Sequence, residues 1–252
     1  MLIDRKHTLS PQVLARALCF WASVLVLLTS CATSPPLTPV AGPGALKAAA
    51  GSGWWAVEVH FSWPTDTRPA MHLDLLVARE IFGPLIDAHR DTLPLWRFHR
   101  RAARDAAGHR LRFLFYALPS TATEINATLT AHPLLGELHS AGVIDSVVID
   151  DPEGEPQTDL AATSDPAWSS AMQSAWPYFI MGVSQMWLSL MDQIAAGEIP
   201  RPSPGDPDAL ILFYKGLGDR MTTTWQKEGR HALLHHLNAL FGYERLPISL
   251  RF

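Results

Sequence analysis

The chain has two cysteines, Cys19 and Cys31, and none after them. No disulfide framework can brace the remainder, so its stability must come from an ordinary hydrophobic core. It also has no Gly-rich phosphate loop, no Gly-x-Ser-x-Gly elbow and no Cys-x-x-Cys pair. The chemistries those motifs carry have no signature here, and no cofactor is expected. Positive charge is not in excess: 20 Lys and Arg stand against 24 Asp and Glu, a formal net charge of −4. That balance argues against a general nucleic-acid binder. The N-terminal apolar run Ala17–Leu28 falls short of the roughly 20 residues that cross a bilayer.

That run lies between a basic segment, Arg5, Lys6 and Arg16, and the tetrad Leu28-Thr29-Ser30-Cys31. The layout is that of a signal peptide, and the tetrad resembles the bacterial lipobox, in which the cysteine is lipidated and becomes the first residue. The resemblance implies a signal peptide over residues 1–30 and a lipid on Cys31. It also implies a protein of the bacterial cell envelope, with the membrane as one partner. Ala32 follows the cysteine where an aspartate would favour inner-membrane retention, which points to an outer membrane facing the periplasm in a Gram-negative organism. Cleavage there removes three of the 20 basic and one of the 24 acidic residues. Seventeen remain against 23, a formal charge of −6.

From Ala32 to Gly53 the chain is rich in Pro, Ala, Gly and Ser, with Lys47 its one charge. It cannot bury enough surface to order itself, so residues 31–53 read as a lipidated cysteine and linker. The folded part then opens with WWAVEVHFSW (Trp54–Trp63), which alternates with period two as a half-buried strand does. His72–Arg90 places Leu75, Leu76, Arg79, Ile81, Phe82, Leu85 and Ile86 at helical spacing, with a bend expected at Gly83-Pro84. Leu95–Arg101 and His109–Ala117 alternate again and predict an antiparallel hairpin. Ser120–His139 reads as one helix with a capping arrangement from Ser120 or Thr121 and Glu124, and Val143–Asp150 as a last strand.

The order strand, helix, strand, strand, helix, strand predicts an α+β fold of the ferredoxin-like, split βαβ kind over residues 54–151. Both helices would cover one sheet face. The other face would gather Glu58, His60, Arg97, His99, Arg101, Arg110 and Arg112, with Tyr116 further along. Guanidinium forks suit carboxylates and phosphates, and a carboxylate beside histidines can move protons. Three readings stay open: a solvated face with cross-strand ion pairs, an anion or polar-ligand site, and a catalytic site.

The stretch LWRFHRRAARDAAGHRLRF, preceded by WWAVEVHF and a helix, resembles the small domain of lantibiotic dehydratases and thiopeptide-biosynthesis proteins. Arg97 or Arg100 and the run His109-Arg110-Leu111-Arg112-Phe113 are the matching positions, over Trp54–Asp151. In that family such residues help eliminate glutamate from modified Ser and Thr side chains of a peptide, using cytoplasmic aminoacyl-tRNA. A lipobox directs this chain across the membrane, and here His109 is followed by Arg where the family has Leu. The resemblance therefore implies the fold and not the activity.

Residues 152–252 read as a helical region after an acidic, flexible connection (Asp151–Ser164). Asp165-Pro166 and Asp206-Pro207 each pair an N-cap with proline at the first helical position, predicting a helical hairpin whose members run to about Ala196 and about Phe241. No charged residue separates Asp165 from Asp192; Trp176–Met191 reads as a buried helix or as a surface for a bilayer or partner. On the second helix His231 and His235, with His236, are at most weak metal candidates, because no carboxylate pattern accompanies them. The sequence thus predicts a lipid-anchored protein with a non-catalytic binding role towards a protein partner, a peptide or an anionic envelope component. An enzyme acting on a peptide or acidic substrate is the alternative.

Overall fold

In the computed structural model, which describes residues 49–196, 202 and 205–244, the first alternating segment forms β1 (Gly53–Phe61). The hairpin forms β2 (Leu95–Ala102) and β3 (His109–Ala117), and the last strand is β4 (Ile144–Ile149). All pairings are antiparallel and the order is β2-β3-β1-β4. The molecule is therefore a mixed α+β structure on a four-stranded antiparallel sheet. Cys31 and the linker up to residue 48 lie outside the described residues; the expected linker bound at Gly53 is too late, because Ser52 is buried and Gly53 already pairs with Ala117 in β1.

Between β1 and β2 runs a continuous helix, α1 (His72–Val77) and α2 (Gly83–Ala88), joined by one wide turn over Ala78–Phe82. Pro84 has no N–H to give, and Gly83 N–H donates to Ala78 O, five residues back rather than four. The bend expected at Gly83-Pro84 is thus taken up as a π-turn.

The single helix expected over Ser120–His139 is two: α3 (Pro119–Thr130) and α4 (Pro133–Ser140). Pro133 excludes the helical region for the residue before it, and His132 is extended at φ −72°, ψ 116°. The expected cap is absent as well. Leu118 precedes the helix without a side-chain cap, and Pro119 starts it.

α5 (Ser170–Ala196) begins later than Asp165-Pro166 suggested, because Asp165 Oδ1 accepts from Ala167 N at 2.8 Å and closes a turn there. Asp206 does cap α6 (Pro207–Gly229), accepting from Ala209 N at 3.0 Å. A second π-turn (Arg230–His235) leads to α7 (His236–Leu240), and Gly242, at φ 73°, follows its end.

The core fills one face of the sheet. Phe82, Phe113 and Phe115 are fully buried there, with Phe82 and Phe113 stacked at 4.9 Å. Each such side chain contributes about 1.5–3 kcal/mol of hydrophobic stabilisation. Leu188 and Met191 of α5 and Leu210, Tyr214 and Leu217 of α6 belong to the same core. α5 also shields the free edge of β2: Phe98 N–H, which no strand accepts, donates to Ser184 Oγ at 3.1 Å.

Candidate functional site

The period-two pattern places four residues of each row on the sheet face opposite the helices. Cross-strand register gives His99, Arg112, Glu58 and Val148 in one row, and Arg101, Arg110, His60 and Ser146 in the next. The polar residues picked out from the sequence do share a face.

Within it Glu58 is the hub. Its Oε2 accepts from Arg110 at 2.7 Å and lies 3.5 Å from His60 Nε2, and its Oε1 sits 3.0 Å from Arg112 Nε. That last contact is an ion pair out of line for a hydrogen bond, so Arg112 Nε is buried without a hydrogen-bond partner. Arg101 turns away to a bidentate pair with Asp105 in the hairpin loop, which holds the Asp105 carboxyl well below its usual range. His99 is held below the ordinary imidazole value, first by loss of water around the ring and then by Arg97, Arg110, Arg112 and Arg101.

One end of this face is roofed. The segment expected to be a flexible connection packs back as a strap, with a short helical turn at Leu160–Thr163. Its backbone carbonyls are the reason: Thr158 O accepts from Tyr116 Oη–H at 2.8 Å, Leu160 O from Trp54 Nε1–H at 3.2 Å, and Thr163 O from Arg97 at 2.9 Å. Buried Tyr and Trp need such partners. Gln157 O adds a backbone bond from Trp54 N at 3.0 Å. The approach is close enough that a Cβ on Gly53 would fall 2.4 Å from Pro156 Cβ, so β1 must begin with glycine here. Tyr116 is consequently an anchor of the strap rather than a free ligand group. Burial, and then the nearby Asp159, raise its hydroxyl pKa.

Between the strap and the polar rows lies a cleft of about 560 Å³, within the range of small-ligand sites. Its floor is a third row: Arg97, Leu114 and Ala56 in register, then Asp150, whose N–H donates to Ala56 O at 3.0 Å and whose Oδ2 accepts from Ala56 N at 2.8 Å. Arg112, Asp151, Glu155 and Thr163 also line it. Arg97 makes no ion pair among the described residues. Its Nε is buried and unpartnered, as is Thr163 Oγ1. Burial, followed by the neighbouring Arg112, lowers the Arg97 guanidinium from its ordinary value. A buried donor without a partner costs about 1–3 kcal/mol, which a bound acceptor would recover.

Two charged clusters went unnoticed in the sequence. Asp74 and His109 are fully buried and 3.1 Å apart, and Arg100 donates to the same Asp74 oxygen at 3.0 Å and to Met71 O at 2.7 Å. Arg100 and His109 alternate onto the helix-covered face, so they lock α1 to the hairpin and take no part in the polar surface. Glu80 accepts from Tyr214 Oη–H, while Arg79 donates to Tyr214 at 3.2 Å and to Asp192 at 2.7 Å. This set ties the first π-turn to α5 and α6, and the Tyr214 hydroxyl is raised by burial and by Glu80. A lone charge in the apolar HLDLLV segment was the available signal for Asp74.

His231, His235 and His236 stack on one another with centroids 5.0–5.2 Å apart. The His231 ring lies face to face with His235 and tilted to His236, while His235 and His236 meet edge to face, and among the described residues no three His, Cys, Asp or Glu could hold a metal. Among the described residues no helix is long and apolar enough to cross a membrane. Comparison with known proteins finds no family model, no curated protein and no solved structure that matches the chain.

Proposed function

We propose that the protein is an envelope lipoprotein, anchored through a lipid on Cys31 and spaced from the membrane by the Pro/Ala/Gly-rich segment between that cysteine and β1, that binds a peptide or other anionic envelope component in the cleft beneath its strap. The observation that carries the binding reading is Arg97: a cation on the floor of a cleft, with a buried Nε–H that nothing accepts. Arg112 stands beside it with part of its charge already balanced by Glu58. Guanidinium pairs of this sort are suited to carboxylate and phosphate oxygens. The anchor rests on the Leu28–Cys31 tetrad and the apolar run before it.

The βαββαβ order, with β1 and β3 as central neighbours, supports the ferredoxin-like reading of residues 54–151, and α5 and α6 support a C-terminal helical hairpin. A binding role is favoured over catalysis because both oxygens of Glu58, the one carboxylate among the polar rows, are already engaged by Arg110 and Arg112. The resemblance to the small domain of lantibiotic dehydratases contributes a fold to this reading and no reaction.

The test is thermal unfolding of the full-length protein in detergent, titrated with an acetylated acidic peptide and with inorganic phosphate. At about 100 times its dissociation constant a ligand selective for the native state adds about 2.7 kcal/mol. That shift should vanish in Arg97→Ala while the unliganded midpoint stays close to that of the unaltered protein. A shift that persists in Arg97→Ala would remove the cleft from the account.

A further inference from the structure

The cleft carries both signs of charge and keeps them apart. Arg97 stands at one end of the floor row, and Asp150 at the other, with Asp151 and Glu155 on the adjoining strap. Among the described residues none of these four makes an ion pair. Between the two ends lie Leu114 and Ala56, one apolar and one small, which can neither bridge the charges nor fill the gap.

Resting on the binding function proposed above, we infer that the ligand is zwitterionic: a short peptide whose free carboxylate meets Arg97 and Arg112 and whose free ammonium group meets Asp150, Asp151 and Glu155. Arg97 and Asp150 are the ends of a row of four neighbouring positions, which is three spacings and about 14 Å between Cα atoms. Asp150 Oδ2 reaches back to Ala56 N at 2.8 Å, which shortens that span. An extended chain advances about 3.3–3.6 Å per residue, so two residues fill what is left better than one. Small apolar side chains match the Leu114 and Ala56 floor. Thr163 Oγ1, buried and unpartnered on the strap side, is placed to take a hydrogen bond from a peptide group between the two ends.

The probes are alanylalanine, its N-acetyl form, which lacks the ammonium, and its C-terminal amide, which lacks the carboxylate. Each is titrated calorimetrically into the full-length protein in detergent. Alanylalanine is expected to bind at least tenfold more tightly than either blocked form. Asp151→Asn with Glu155→Gln should erase its advantage over the N-acetyl form, and Arg97→Ala its advantage over the amide. Asp150 is left unaltered because it also accepts from the backbone of Ala56. Equal affinity for alanylalanine and its N-acetyl form would overturn the zwitterion and leave the anion site standing. Binding of the amide alone, or of none of the three, would overturn both.

Discussion

Arg97 and Asp150 face each other along one row of the sheet, with Leu114 and Ala56 between them and no ion pair joining them. Opposite charges that line one cleft without meeting are what a two-headed ligand requires. The rest of the polar face is internally balanced: Glu58 with Arg110 and Arg112, Arg101 with Asp105.

Glu58→Gln should tighten the binding of anions rather than abolish it. Removing the carboxylate frees Arg112 to turn its charge to the cleft, and partly exposed ion pairs of this kind contribute only about 0–1 kcal/mol to stability. Calorimetric titration of the variant with N-acetylalanylalanine would register a lower dissociation constant at nearly constant unfolding midpoint. Weaker binding would mean that Glu58 contacts the ligand itself.

Asp74→Ala should cost about 3 kcal/mol in urea unfolding, the low end for breaking a buried pair because Arg100 retains some contact with water. His109 and Arg100 would both lose their shared acceptor. A loss below about 1 kcal/mol, the size of a surface effect, would show that the trio does not hold α1 to the hairpin.

Stability should fall as the solution is acidified through the histidine range. The folded state holds His99 below its ordinary value, chiefly through burial and then through four arginines, and burial does the same to His72 and His132. The unfolded chain therefore binds more protons than the folded one just below about pH 6.5. The stability these neutral rings contribute is present above that pH and lost below it. In His99→Gln the slope of unfolding free energy against pH should become shallower just below about pH 6.5. An unchanged slope would mean that His99 titrates alike in both states.

How much of this was legible in the sequence depended on which groups carry the signal. Alternation along Trp54–Phe61, Leu95–Arg101 and His109–Ala117 gave both the strands and the shared face of Glu58, Arg112 and His99, because side-chain direction in a strand has period two. The strap was invisible because its contacts to Trp54, Tyr116 and Arg97 are made by backbone carbonyls, which every residue possesses. The cleft therefore could not be foreseen, nor could the loss of Tyr116 to a structural role. The break at Pro133 was readable from His132-Pro133 and was overridden by the leucine spacing around it. Arg100 and His109 were strand residues whose partner, Asp74, sat in a helix assigned only by its apolar positions.

Cys31→Ser should release the protein from membranes and abolish incorporation of labelled palmitate. Membrane association that survives without lipid would defeat the anchor.

The central claim is that Arg97 is the recognition group of a ligand cleft, and the most direct measurement is the ¹⁵N–¹H signal of its Nε–H during titration with alanylalanine. The account predicts a saturable movement of that signal, at the dissociation constant found calorimetrically, as the buried donor gains an acceptor. A signal that stays fixed while the peptide binds would contradict it.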